Sequence, residues 1–269
     1  MTKTSTKILT YGFLIISSIV SIFPLVWMVI AATNKSVDVV AGKLTIGGEL
    51  LNNYRNLMSL QNVWSYFWNS AKYAILTTVF ALLVSSLAGY AFEVYHDKVK
   101  DILFMLILMT MMLPFVALMV PLFQMFSSAK LLNSTLGFLL PSIATPLLIM
   151  MFRQCAKAFP AEIMEAARID GLNEFQIFFR MFVPTMKSTY AAAITITFMN
   201  AWNNYLWPKV IMTKGNAQTM PMMISGLTSG YVTDYGMLML SVLITTLPTA
   251  LVFFLLQKNF AEGITGAVK

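Results

Sequence analysis

The sequence predicts an all-α, polytopic membrane helical bundle with six transmembrane helices, on three observations. Hydrophobic residues make up 58% of the 269 residues and charged residues only 11%, less than half the roughly 25% usual in soluble domains. Six apolar stretches reach the ~20 residues that a helix needs to cross a bilayer. No Asp, Glu, Lys, Arg or His stands near the middle of any of them.

The stretches are residues 8–32, 72–92, 102–126, 134–152, 188–207 and 235–256, read as one transmembrane domain over 1–269. The first follows Lys3 and Lys7, as the core of a signal peptide would. It exceeds the roughly 7–15 residues of such a core, so it reads as a retained span. The second carries Ser85 and Ser86. Pro114 and Pro121 predict kinks in the third, and Pro141 and Pro146 in the fourth. Met109, Met111, Met112, Met119 and Met125 suit lipid contact or flexible packing. The fifth holds Asn200, Asn203 and Asn204. Such polar groups line a solute path, bond between helices or sit at the outer interface beside Trp202.

Lys and Arg concentrate on the cytoplasmic side of membrane proteins. With a cytoplasmic N-terminus, the larger set falls inside, including Lys98, Lys100, Arg153, Lys157, Arg168, Arg180 and Lys187. Both termini are then cytoplasmic and the location is the plasma membrane. The net charge of +7 is explained by this bias, so no nucleic-acid partner is expected. Trp64, Trp68, Trp202, Trp207 and Tyr231 fall near the predicted outer boundary, as an aromatic belt would.

The empty midplane argues against an ion-coupled carrier, whose coupling charge is usually held by an ionisable group at depth. His96 is the only histidine, which rules out a His-based zinc site, and no G-x-x-x-x-G-K-[ST] loop is present. No metal and no cofactor are expected, and no nucleophile–base pair suggests an enzyme. The single cysteine, Cys155, cannot form an internal disulfide. Energy for active transport must come from another subunit.

One connection is unusually long. Residues 153–187 separate the fourth and fifth spans, and ordered loops of this length tend to be functional. Pro160 suits a helix start, and Glu162 and Glu165 complement its dipole. Phe159, Ile163, Ala166 and Ala167 recur at helical spacing. Asp170-Gly171 signals a turn, Asn173 and Gln176 resemble a capping box, and Pro184 limits continuation. Two short helices thus meet at a corner. They either enter a groove in a soluble partner or rest on the lipid surface.

Glu165-Ala166-Ala167, then Gly171 after three residues and Val183-Pro184 further on, resemble the EAA motif of permeases in binding-protein-dependent ABC importers. The family pattern is E-A-A, three residues, G, nine residues, I-x-L-P; Met181 and Val183 replace its Ile and Leu. Asp170 before Gly171 is the form common in sugar permeases. Phe23–Met28, Asn69-Ser70, Gly89–Phe92, Trp202–Pro208 and the tail Glu262–Lys269 are similar to segments of the maltose/lactose/multiple-sugar group, second permease type.

The resemblance implies the type I permease fold of ABC importers and a heteromeric assembly. Its other parts would be a homologous second permease, two ATP-binding subunits and an extracytoplasmic solute-binding protein, all set in membrane lipid. Residues 159–172 would be the coupling helix: Glu165 a polar contact to the ATPase, Ala166 and Ala167 the close approach, Asp170 and Gly171 the corner. The expected function is import of a sugar or oligosaccharide. Alternatives are another solute, such as a polyol or glycerol phosphate, or a stand-alone carrier or channel. Asn200, Asn203, Asn204, Ser85 and Ser86 are the candidate solute path.

Overall fold

The computed structural model describes residues 3–230 and 232–265, with side chains at 6–230 and 232–258. Tyr231 and residues 266–269 of the tail motif lie outside the described residues, as do the side chains of 259–265. Among the described residues every regular element is helical.

The chain opens with α1 (Lys3–Ala32), followed by short α2 (Ser36–Val40) and α3 (Leu50–Leu60). Next come α4 (Val63–Val94), α5 (Lys98–Met109), α6 (Phe115–Ser128), α7 (Thr135–Ile143) and α8 (Pro146–Lys157). The connection after α8 holds α9 (Ala161–Ile169) and α10 (Glu174–Ile177). A π-helical turn (Phe178–Phe182) and α11 (Val183–Thr185) follow. Then come α12 (Lys187–Trp202), α13 (Leu206–Ile211), α14 (Met220–Leu227) and α15 (Tyr235–Thr265).

Among the described residues, three helices are long and apolar enough to cross a membrane: Thr6–Ala32, Val63–Val94 and Tyr235–Lys258. The predicted third and fourth spans are each two helices. Lys98–Met112 and Phe115–Ser128 meet at 103°, and Thr135–Ile143 and Pro146–Lys157 at 48°. The first break is sharper than a proline kink. Leu113 (ψ 120) and Pro114 (ψ 128) are both extended, because a proline pushes the residue before it out of the helical region. In the second, Pro146 starts the new helix, while Pro141 stays within α7. Counting each bent pair as one gives five crossings. At 1.5 Å per residue, the 16 residues of α12 make about 24 Å, short of the ~30 Å hydrocarbon core.

The chain divides into two compact units, Met1–Trp64 with Met223–Leu247, and Ser65–Met222 with Pro248–Lys269. In the first unit, the stretch after α1 is folded by two asparagines. Asn34 Nδ2 donates to the Ile30 and Thr45 carbonyls at 2.9 and 2.8 Å. Asn53 Nδ2 donates to those of Ala32 and Asn34 at 2.9 and 3.1 Å. Ser36 Oγ bonds Thr233 O and accepts from Tyr235 N, tying α2 to the start of α15.

In the second unit, Tyr73, Phe126, Phe138, Leu139, Trp207 and Ile211 form one core cluster. Trp202 and Trp207 are 1% exposed, so they are not belt residues, whereas Trp64 and Trp68 are exposed. Trp202 stacks on Phe198 at 5.8 Å. Trp207 packs edge-on against Phe126 and donates Nε1–H to the Gly137 carbonyl at 3.0 Å. Trp207→Phe keeps the bulk but orphans that buried carbonyl, at about 1–3 kcal/mol. A lower melting temperature of the detergent-solubilised protein is the expected result; an unchanged one removes the bond from the account.

Candidate functional site

The 158–186 connection is a rigid elbow whose corner follows from local chemistry. Pro160 takes the N-cap position of α9 with extended ψ of 128°, where its missing N–H is no loss. Glu162 lies in the first turn. At the other end Leu172 N–H donates to Ala167 O and Gly171 N–H to Arg168 O, both at 3.0 Å. This is a Schellman closure, which needs a left-handed residue at its tip, and Gly171 has φ +82°. The capping box is present: Gln176 N–H donates to Asn173 Oδ1, and Asn173 N–H to Gln176 Oε1, each at 2.9 Å.

The elbow packs on the end of α4 through an aromatic cluster of Tyr90, Phe159, Phe178 and Phe182. Tyr90 lies 5.3 and 5.0 Å from the Phe178 and Phe182 rings. The inward stripe of α9 runs through the half-buried Met164 and the buried Ala167. Ile163 and Ala166, expected to share that face, point outward, so the two alanines part: Ala167 packs on its own chain, and Ala166 is open to a partner. Outside stand Glu162, Glu165, Asp170, Gly171, Ile169 at 86% exposure and Phe175 at 70%.

Arg168 clamps the two legs, donating from Nε to Glu174 Oε1 at 2.8 Å and from Nη2 to Oε2 at 3.3 Å. The Glu174 carboxyl is held below its usual range, first by Arg168 and then by Tyr95. Burial, then the nearby Glu174 carboxylate, pushes the Tyr95 phenol up to about 12.

The second feature is a cavity of about 720 Å³. It lies at the break between α7 and α8 and against the end of α12, and it gathers all three predicted asparagines, Asn200, Asn203 and Asn204. Thr77, Thr145 and Thr197 join the wall, and no ionisable cation or carboxylate lines it. The Thr77 and Thr197 hydroxyls are buried without a hydrogen-bond partner, a state that costs roughly 1–3 kcal/mol per group. Ser85 and Ser86 are not part of this wall. Both are buried in α4, and Ser86 Oγ donates back to Leu83 O at 3.4 Å. The threonines were missed in the sequence; Thr197 carried a signal, one helical turn before Asn200.

The family model described as "Binding-protein-dependent transport system inner membrane component" matches residues 81–266. The chain belongs to this family. The lactose transport system permease protein LacG of Rhizobium radiobacter is 45% identical over 262 residues, 97% of this chain and 96% of that one. The arabinooligosaccharides transport system permease protein AraQ of Halalkalibacterium halodurans is 35% identical over 97% and 96%. The sn-glycerol-3-phosphate transport system permease protein UgpE of Escherichia coli O1:K1 is 30% identical over 97% of each. The fold is that of an ABC importer permease. It superposes at a TM-score of 0.83, with 18% identity, on a bacterial ABC transporter involved in the import of the acidic polysaccharide alginate, covering 97% of this chain and 99% of that one.

As an inner membrane component of a binding-protein-dependent system, the chain is a transport subunit rather than an enzyme. It is a multi-pass protein of the inner membrane, and its partners include ATP-binding subunits and a solute-binding protein.

Proposed function

We propose that this chain is one of two paired permeases that import a neutral sugar or oligosaccharide, driven by ATP-binding subunits seated on residues 159–172. Both termini are cytoplasmic in this reading. The observation that carries it is the elbow's outer face, where Ile169 and Phe175 stand open beside Glu162, Glu165 and Asp170. A helix resting on lipid presents Lys and Arg to the anionic leaflet. Over residues 159–172 this face offers carboxylates, and the cation there, Arg168, is engaged by Glu174; Arg180 stands exposed on the second leg. A protein socket fits that chemistry better than a membrane surface does.

ATP binding closes the two motor subunits and moves the elbow, with Gly171 as its corner and Glu165 and Ala166 as contacts. Spans four and five move with it and switch the cavity between sides, a population shift biased by the motor. Asn200, Asn203 and Asn204, with Thr77, Thr145 and Thr197, make the solute path. Neutral hydroxyls suit those amides and hydroxyls. A phosphate ester finds no cation on this wall, which disfavours glycerol phosphate despite that relative.

The test is to purify the assembled complex in proteoliposomes and measure ATP-dependent uptake of lactose and of sn-glycerol 3-phosphate. Co-eluting ATPase and uptake of the disaccharide support the reading; uptake of the phosphate ester alone overturns its substrate. Asn200→Ala removes hydrogen bonds worth ~0.5–1.5 kcal/mol each. Its half-saturating sugar concentration for transport is expected to rise about two- to tenfold, and an unchanged value takes Asn200 off the path.

A further inference from the structure

The cavity has a floor on the side of the elbow, built by three helices in register. Thr77, Leu148 and Thr197 line the cavity from α4, α8 and α12. One turn nearer the elbow, on the same helix faces, stand Ala81, Phe152 and Ala193. These three are fully buried and form one cluster with Leu148, against which Tyr190 packs. The Phe152 and Tyr190 rings lie 4.8 Å apart. Phe152 is thus the bulk of the floor, set between two alanines. Its Cβ lies 2.7 Å from where a Cβ would stand at Gly89. From there its side chain leans towards the start of α8, on the cavity side, to reach Ala81. Ser85 is midway between Gly89 and Ala81, four residues from each. Its hydroxyl is buried without a hydrogen-bond partner, like those of Thr77 and Thr197.

We propose that Phe152 is the inner gate of the cavity and that Ser85, behind it, is a further contact for the solute on its way to the cytoplasm. A buried hydroxyl that bonds nothing needs a reason. Two such hydroxyls stand in the cavity wall, and the third lies past the floor, about 12 Å from Thr77 along α4. Sugar hydroxyls donate and accept, and a serine hydroxyl can meet either role. The gate yields on the α12 side. Arg153, next to Phe152, holds α8 to Glu93 of α4 and Asp101 of α5 at 3.1 and 2.6 Å, and the Gly89 crossing leaves no gap there. Towards α12 stand the Tyr190 ring and a thiol–hydroxyl contact, Cys155 Sγ to Thr189 Oγ1 at 3.0 Å. When the elbow draws α12 away, the Phe152 ring turns into the space that Tyr190 leaves and uncovers Ser85. The proposal rests on the cavity being the solute path that the elbow switches.

The test uses the whole complex in nanodiscs, with Cys155→Ser and either Ser85→Cys or Asn200→Cys. A membrane-impermeant thiol reagent is applied, and its adduct is read by mass on this chain's peptides. The labelling rate of Ser85→Cys is expected to differ at least tenfold between the nucleotide-free complex and one holding a non-hydrolysable ATP analogue. Adding Phe152→Ala should make the rate fast in both states. Saturating lactose should slow the labelling of each cysteine at least threefold in the state where it reacts faster. A Ser85→Cys that stays unreactive in both states, or reacts equally fast in both with Phe152 in place, overturns the gate. That result stands whether or not the Phe152→Ala variant folds; an assembled Phe152→Ala complex that keeps two different rates also overturns it. Lactose protection of Asn200→Cys but not of Ser85→Cys overturns Ser85 as a solute contact. Protection of neither cysteine, beside a working gate, strikes the underlying solute path instead, and the role of Ser85 falls with it.

Discussion

Gly171→Val leaves the complex assembled but severs ATP hydrolysis from transport, with uptake falling by roughly tenfold or more. Gly171 sits at φ +82°, and a Cβ placed there meets nothing within 4 Å. The loss is thus conformational rather than a clash. An ordinary residue in the left-handed region costs about 1–2 kcal/mol, and a β-branched one more. That is comparable to the two hydrogen bonds of the Schellman closure, at about 1 kcal/mol each. The corner opens, and α9 no longer meets α10 at a fixed angle. Asn, which tolerates this conformation, should stay nearest to the unaltered protein, and Ala should fall between. The measurement is solute moved per ATP in proteoliposomes; a normal ratio for Gly171→Val removes the rigid corner from the mechanism.

The largest loss of stability is expected at Gly89. A Cβ there would lie 2.7 Å from both Arg153 N and Phe152 Cβ, and 2.8 Å from Ile149 O. Two of these are backbone atoms of α8 and cannot rotate away, so α4 and α8 must separate. Overpacking of this kind costs about 1–3 kcal/mol, and separation also strains the Arg153 bridges to Glu93 and Asp101. Gly89→Val should lower the melting temperature of the purified complex or prevent its assembly, and Gly89→Ala should do so less. Gly226→Ala, where nothing lies within 4 Å, is the control. In a helix that change is neutral or stabilising by about 0.5–1 kcal/mol. Equal behaviour at the two sites would contradict the close crossing.

The elbow was legible because its determinants are local. Pro160, Gly171 and the Asn173/Gln176 pair each set a dihedral angle or cap a neighbour within a few residues, and all three stand where the spacing put them. The apolar stretches were legible too, since hydropathy is a property of composition. What tertiary contact decides was not. Lipid and protein core are equally apolar, so Trp202 and Trp207 read as interface anchors although they are buried. Pro114 announced a bend, but its 103° comes from two successive extended residues. Asn34 and Asn53 carry no signal in their spacing, yet Asn34 reaches the Thr45 carbonyl and Asn53 those of Ala32 and Asn34. The asparagines of the cavity were found from depth in the span. Thr77 reaches the same wall from another helix, a placement no linear spacing reveals.

The central claim is that a cytosolic motor holds the elbow's outer face. The direct measurement is a photo-crosslinking amino acid at Ile169, irradiated in intact membranes that contain the whole complex. Covalent capture of the ATP-binding subunit, with no labelling of that position by an impermeant reagent from outside the cell, is the predicted result. Capture of lipid alone, or labelling from the outside, would contradict it.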